Sequence, residues 1–514
     1  MDRSIGLSDF TAKIHERRIH EFKQRDVEQY EIAQKRLQKI HAHQWQSWSQ
    51  QSGAKEKLLI LNREANKQTK HKSVRELIKE TEDLVLVLKP CWMMSPLAVS
   101  EYIDPQILEF DVVIFDEASQ ILTEQAVSSI IRAKQVIVVG DKQQLPPTFS
   151  FNKFDSDDEN DSDDENCESL LVECSKFMRQ YTLQWHYRSQ DESLIAFSNE
   201  HFYKSKLVTF PNPTKEITRG VHFHYVEDGI YDRGGKTINL REAEEVAKLA
   251  LIHAQTSKQT LGIIAFSKNQ ANAIQKELDR LSTKNPELGE LLEDSDNFLL
   301  RHLESVQGEE RDVIILSFCY GRDQDGKILQ NFGPITNSAN GERRLNVAIT
   351  RAVQKLILVA SIRGSDLQTD GKSEAIKKLQ SYLNYAERNN TQTNTQAENL
   401  NNVSSNPCKD AIIEDICFAL QQAGYGTYPS VGRSNAPIDL VIFNSQQPHK
   451  FLLGIEVDGM TYQAHNTARD RDRLRPKVLK DLKWEIYRIW SKEWFHNRDT
   501  QIEQLIKRLK NIQE

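Results

Sequence analysis

From about Leu7 to Lys70 apolar side chains are sparse among Glu, Gln, Lys, Arg and His, and those present (Ile14, Ile19, Phe22, Val27, Tyr30, Leu37, Ile40) recur at roughly helical spacing. This predicts long helices with a thin apolar stripe, and Ser52-Gly53 marks a break where two could fold back as an antiparallel hairpin. No heptad register is sustained, so a solvent-exposed helical arm is preferred over a coiled coil. Past Leu84 the pattern turns to short apolar runs and turns. Leu84-Val85-Leu86-Val87-Leu88 precedes Lys89-Pro90, Val112-Val113-Ile114-Phe115 runs into Asp116-Glu117, and Gln135 to Val139 runs into Gly140-Asp141. Unbroken apolar runs of this kind are those of parallel strands buried on both faces. With a helix near Thr123 to Arg132 between them, the last two strands would end side by side in polar turns, where doubly wound sheets hold ligands.

A second α/β unit begins at Leu183-Gln184-Trp185-His186-Tyr187-Arg188-Ser189 and includes the strand Leu261 to Phe266, with a helix starting near Lys268. It continues through Ser305-Val306-Gln307-Gly308-Glu309 to Leu316, then Arg343 to Ala352 and a strand from Lys355 to Val359. Asn389 to Pro407 is rich in Asn, Gln, Thr and Ser without apolar periodicity and reads as a flexible linker. Beyond it, Cys408 to Ala423 is an amphipathic helix containing Glu414, and two strands follow, Ala436 to Phe443 and Phe451 to Gly459.

At 514 residues the chain has room for three or four domains. Its net charge of -7 argues against a polyanion partner only until the acidic run Asp155 to Glu165 is set aside; those eight charges removed, the rest stands at about +1. That run lacks the glycine and final glutamate of a calcium loop and reads as a solvated loop. The six cysteines form no C-x-x-C pair, no zinc ribbon is implied, and no apolar stretch is long enough to span a membrane, so a cytoplasmic protein without a membrane partner is expected.

An apolar strand ending in Asp116-Glu117 has the geometry of a Walker B strand, yet no G-x-x-x-x-G-K-[ST] loop stands before it; Gly234-Gly235-Lys236-Thr237 is a near miss in the wrong place. With Gln144, Arg188, Glu309 and Arg351 in order, residues from about Lys70 to Ser381 resemble a superfamily 1 helicase of the nonsense-decay type, in the bacterial branch with a C-terminal nuclease. The resemblance implies two RecA-like motor domains, the first incomplete here, and the following roles. Asp116 would hold Mg²⁺ and Glu117 would orient the attacking water. Gln144 would sense the γ-phosphate, and Arg188 and Arg351 would reach it as bidentate cations. Glu309 would couple the ribose to the nucleic-acid groove, and Ser95-Pro96 would hold a nucleic-acid phosphate.

In the last domain Glu456 and Asp458, two apart, share a face of their strand, and Asp439 on a neighbouring strand could join them as a hard-oxygen Mg²⁺ site. About Lys409 to Glu514 resembles the PD-(D/E)xK nucleases, in the branch similar to very short patch repair endonucleases. That likeness implies the acid pair Asp439 and Glu456 and the helix acid Glu414. Asp458 replaces the usual lysine, so a cation is sought in Arg469 and Arg473, which also face nucleic acid; His465 is a candidate acid or base. The implied α/β architecture is a helical arm (1–75), the C-terminal part of a first RecA-like domain (76–180), a second (181–388), a linker (389–407) and a restriction-endonuclease-like domain (408–514). The function expected is a helicase-nuclease fragment acting on DNA, with RNA as the alternative, using Mg²⁺, and ATP if a phosphate loop is supplied. A catalytically impaired nucleic-acid-binding module, or one half of a split helicase with a separate N-terminal half, are the other readings.

Overall fold

The computed structural model describes residues 10–147, 169–213, 219–336, 340–395, 410–434, 436–444, 447–465 and 467–513. The acidic run Asp155 to Asn166 lies outside the described residues. Two compact units divide the chain: one takes the described residues from His20 to Tyr181, the other those up to Ile19 and from Thr182 onward.

In the first unit the expected arm is two helices, α1 (Ala12–Ser49, its first turns in the other unit) and α2 (Ala54–Ala65), broken at Gly53 with φ +86°. α3 (Val74–Leu88) follows, where the run Leu84 to Leu88 was expected as part of a sheet layer. The correction has a local cause. A five-residue apolar run fits a strand or a helix, and here Ser73 and Glu76 form a capping box that starts a helix, whose buried Ile78, Thr81 and Leu84 are three apart. α2 packs on α3 through Ala54, Leu58 and Leu84, closed by Trp48 from α1.

After α4 (Pro96–Tyr102), β1 (Phe110–Phe115) pairs in parallel with β2 (Ala133–Val138), with α5 (Thr123–Ile130) between them and α6 (Leu170–Cys174) beyond. Among the described residues this sheet has two strands. Phe115 and Val113 face a core with Ala126, Leu170 and Cys174. The opposite face, expected to be buried, is open: Ile114 is 63 % exposed, Val112 39 % and Ile137 41 %.

The second unit contains a five-stranded, wholly parallel sheet in the order β3-β7-β6-β4-β5, formed by β3 (Gly220–Tyr225), β4 (Leu261–Ala265), β5 (Phe298–His302), β6 (Arg311–Ser317) and β7 (Ala352–Ala360). Its helices are α7 (Ser193–His201), α8 (Leu240–Thr256), α9 (Lys268–Ser282), α10 (Pro286–Glu293), α11 (Gly341–Ile349) and α12 (Glu374–Thr395). The central β4 is buried on both faces, with Ile263 packed against Val246 of α8 and Ile274 of α9, as a parallel sheet requires. α12 runs to Thr395, into the stretch expected as linker, where Asn389 to Thr395 contains no Pro or Gly.

The C-terminal sheet has the order β11-β10-β9-β8: β8 (Tyr425–Val431), β9 (Ile438–Asn444) and β10 (Gln447–Val457) are antiparallel, and β11 (Ile486–Ile489) joins β10 in parallel. α13 (Ala411–Gln422) and α16 (Ser491–Gln513), the latter kinked at Asn497, close one core through Ile416, Leu420, Trp494 and Leu505; the short α14 (Met460–Gln463) and α15 (Arg475–Asp481) lie between β10 and β11 in sequence. This domain is fastened to the five-stranded one. Trp484 packs with Phe210 and donates through Nε1 to the Pro211 carbonyl at 2.7 Å, while Ser434 Oγ donates to the Thr209 carbonyl at 2.8 Å.

Candidate active sites

In the C-terminal domain the antiparallel register of β9 and β10 sets Leu440 opposite Ile455, so one step further Asp439 and Glu456 fall side by side. Both are buried, and Asp439 Oδ2 accepts from the Val457 amide at 2.8 Å. The parallel register of β10 and β11 sets Arg488 directly opposite Glu456. Glu456 Oε2 accepts from Arg488 at 3.1 Å and Oε1 from Arg475 Nε at 2.7 Å. Arg475 is itself spent on the Ala436 and Pro437 carbonyls at 2.9 and 2.8 Å. Arg488 extends to Asp472 Oδ1 at 2.9 Å, and Asp472 is gripped by Arg471 as well.

The two acids respond oppositely to this surrounding. Burial pushes the Asp439 carboxyl above its usual value despite the Val457 amide and Thr461. Burial also opposes the Glu456 charge, but the guanidinium groups of Arg475 and Arg488 outweigh it and hold that carboxyl below its usual value. Between them is a cavity of about 10 Å³, also lined by Tyr462 and His465. That is room for one water or one small ion. His465 Nε2 is buried here without a hydrogen-bond partner among the described residues, and burial lowers its pKa. Burial, then Asp472, pushes the Tyr462 hydroxyl up to about 12.

Two acids expected at this site are elsewhere. Asp458 accepts from the Ser491 amide at 2.7 Å and from its hydroxyl, at the start of α16, and Glu414 is exposed on α13. Among the described residues no three His, Cys, Asp or Glu side chains gather as metal ligands, so the expected cluster of three or four acids is replaced by a pair. The cations beside Glu456 are Arg475 and Arg488; Arg469 and Arg473 lie on the wide-turned segment 469–474 before α15 and neither lines the cavity. Arg475 and Arg488 carry no motif of their own. The β10–β11 register reveals Arg488, and the placement of α15 reveals Arg475.

In the first unit Asp116 and Glu117 are exposed at the C-terminal end of β1, with Glu117 in the left-handed region at φ +50° and its amide donating to Asp116 Oδ1 at 3.0 Å. The Ala118 amide donates to the Val139 carbonyl at 2.9 Å, which draws this turn against the one that follows β2. Gly140 permits the approach: a Cβ there would stand 3.1 Å from the amide nitrogens of Ala118 and Ser119. Gln144 Nε2 donates to Asp141 Oδ2 at 3.2 Å. Ser95 Oγ accepts from the Ala98 amide at 3.3 Å, capping α4, and Pro96 is the helix's first residue.

In the second unit Arg188, half exposed, pairs with Glu310 at 2.7 Å. Glu309 stands 3.9 Å from Arg301 and 3.6 Å from Arg311. Arg351 is 5 % exposed and donates to the Val347 carbonyl at 2.8 Å and Thr350 Oγ1 at 2.9 Å.

Fold and sequence together define the class. AAA-domain family models match residues 7–150 (AAA_11) and 167–363 (AAA_12), and the REase_MTES_1575 model matches residues 413–509. The chain is thus a mixed α/β protein with a parallel sheet of the RecA-like helicase kind and a C-terminal sheet domain of the restriction-endonuclease kind. Its relatives are ATP-dependent helicases. It is 30 % identical over 465 residues to the uncharacterized ATP-dependent helicase MG140 of Mycoplasma genitalium, covering 86 % of this chain and 40 % of that protein. The MG140 homolog of Mycoplasma pneumoniae is 29 % identical over 91 % of this chain and 43 % of its own length. Regulator of nonsense transcripts 1 of Caenorhabditis elegans is 27 % identical over 49 % of this chain and 23 % of its own. The chain spans about two fifths of the length of the two mycoplasma relatives. No helix among the described residues is long and apolar enough to cross a membrane.

Proposed function

We propose that this chain is the nuclease-bearing part of a superfamily 1 helicase-nuclease that acts on DNA, with a metal-dependent endonuclease centred on Asp439 and Glu456. The observation that carries this reading is the buried pairing of those two acids on adjacent strands around an ion-sized cavity. The donor set suits Mg²⁺, which takes one or two carboxylates and keeps much of its water. Bound there, Mg²⁺ would polarise a phosphoryl oxygen and acidify a water. Asp439, on which Arg475 acts only through space and more weakly than burial, is the first ligand and Glu456, bonded by Arg475 and Arg488, the second. Arg488, reached from the strand beside Glu456, is placed to neutralise a scissile phosphate, and His465 Nε2 is free to take a proton from water.

In the motor part, Asp116 is the residue to hold the nucleotide's metal and Glu117 the one to orient water. Gln144, Arg188 and Arg351 are the polar and cationic groups toward the γ-phosphate. Glu309 fits ribose coupling, while Ser95 and Pro96, and Arg469 and Arg473, fit backbone contact with nucleic acid. A second reading has one observation in its favour: both Glu456 oxygens are already satisfied by arginines, as in a binding module whose nuclease chemistry is lost.

Incubating the chain with end-labelled DNA and RNA, single- and double-stranded, in Mg²⁺ or EDTA separates the two. Mg²⁺-dependent cutting of DNA that Asp439→Ala abolishes supports the nuclease; binding without cutting in any metal refutes it.

A further inference from the structure

Two side chains that line the Asp439 and Glu456 cavity, His465 and Arg475, rest on rings supplied by another domain. Trp185, from the segment that precedes α7, meets the His465 ring edge-on, with centroids 6.2 Å apart and planes at 63°. Phe210, from the segment that follows α7, meets Trp185 at 5.4 Å and 67°, and the Arg475 guanidinium lies 5.9 Å from the Phe210 centroid. These are separations at which aromatic pairs and cation–π contacts attract. Both rings enter the core that holds Ile438 and Leu479. Leu183 and Tyr187 are 87 % and 69 % exposed, so of these three neighbours it is Trp185 that turns inward.

The two segments are fixed to each other and to the five-stranded sheet. The His186 amide donates to the Val208 carbonyl at 2.9 Å and the Val208 amide to the Gln184 carbonyl at 2.8 Å, a parallel bridge that sets Trp185 beside Val208. The Gln190 amide donates to the Val353 carbonyl of β7 at 2.8 Å. A base that is to take a proton from water must keep the accepting nitrogen unbonded, and His465 Nε2 has no hydrogen-bond partner among the described residues. Packing then has to orient the imidazole, and the aromatic ring packed on it is Trp185. We infer that Trp185 of the five-stranded domain is a positioning residue for the site on the C-terminal domain: it holds the His465 ring at the Asp439 and Glu456 cavity, so that cleavage depends on the docked motor domain. The effect on cleavage rests on the nuclease reading; the effect on His465 rests on geometry alone.

Both effects are measured on the full chain. Trp185→Ala should lower kcat for Mg²⁺-dependent DNA cleavage about 10-fold or more with KM within about 2-fold, because a misplaced base slows the chemistry without weakening binding. Trp185→Phe, which keeps a ring against His465, should stay within about 3-fold of wild type. Trp185→Ala combined with His465→Ala should be no slower than His465→Ala alone, since the two substitutions break one interaction. Leu482→Ala, which thins the same core away from the cavity, should cleave with wild-type kcat. In NMR spectra of the histidine-labelled chain, the His465 ring signal, assigned by its loss in His465→Ala, should move in Trp185→Ala as the indole ring current is removed and stay in place in Leu482→Ala. Wild-type kcat in Trp185→Ala, losses that multiply in the double variant, an equal loss in Leu482→Ala or an unmoved His465 signal in Trp185→Ala overturns the inference. A chain that cuts no DNA refutes the nuclease reading alone, and the His465 signal then still decides whether Trp185 positions the ring.

Discussion

Arg475 and Glu456 form an ion pair at 2.7 Å with side-chain exposures of 3 % and 8 %, and this geometry sets the size of the response to breaking it. Arg475→Met strands Glu456 with Arg488 alone and orphans the Ala436 and Pro437 carbonyls. Removing one partner of a buried pair costs about 3–5 kcal/mol, since the other charge is left without compensation. In a domain of about 100 residues, where 1 kcal/mol moves Tm by about 4–8 °C, that lowers C-terminal melting by roughly 12 °C or more. Glu456→Leu should cost a similar amount, but the double variant removes both charges together and should fall short of the sum by about 2 kcal/mol or more. A chain of several domains does not unfold in one step, so the assay is hydrogen exchange in urea, followed on peptides from β9, β10 and β11. If the two substitutions add to within about 0.5 kcal/mol, the pair is not coupled and the reasoning about the site's electrostatics fails.

Other consequences are as specific. Glu242 is fully buried, and burial pushes its carboxyl up to about 7 against donors that include the Cys319 and Ser361 amides at 2.7 and 2.9 Å. A raised carboxyl favours the protonated fold, so this contribution is complete below the unfolded value, near 4.5, and is lost as pH rises through about 7. Thermal melts across that range should show the decline. Glu242→Gln, which turns an amide N–H against those donors, should flatten the pH dependence while costing about 1–3 kcal/mol. Gly140→Ala should destabilise the first unit by about 1–3 kcal/mol, because two of the three atoms its Cβ meets are backbone nitrogens that cannot turn aside; calorimetry on the purified variant checks it. Trp484→Phe should raise amide exchange at Phe210 and Asn212 about 5-fold by removing the bond of about 1 kcal/mol to the Pro211 carbonyl.

What the sequence reveals about this molecule follows local rules, and what it hides is set by register. Asp439 and Glu456 are legible because each interrupts an apolar strand, and the adjacency of those strands follows from their order. The helix α13 and the strand β4 are equally local. Arg475 and Arg488 are invisible beforehand, since nothing near them marks Glu456 as their partner; the β10 to β11 register brings Arg488 to it, and Arg475 arrives from the start of α15. Asp458 has the same alternation as Glu456, yet the chain beyond β10 turns it to the start of α16. The run Leu84 to Leu88 misleads because apolar length alone does not separate strand from helix, and the deciding residues, Ser73 and Glu76, lie a dozen positions away. Val112 and Ile114 have the composition of a strand buried on both faces, and only the fold shows one face open.

The central claim is that Asp439 and Glu456 make a metal-dependent nuclease, and it is tested most directly by Mg²⁺-dependent DNA cleavage in three variants of the full chain. Asp439→Asn keeps an oxygen for the Val457 amide and removes the buried charge, so it should melt no lower than wild type at pH 7 while cleaving at least about 100-fold more slowly. Glu456→Gln should likewise lose cleavage, and Asp116→Asn, far along the chain in the motor part, should cut at the wild-type rate. Cleavage that persists in both Asp439→Asn and Glu456→Gln, or that disappears in Asp116→Asn with the other two intact, would contradict the account.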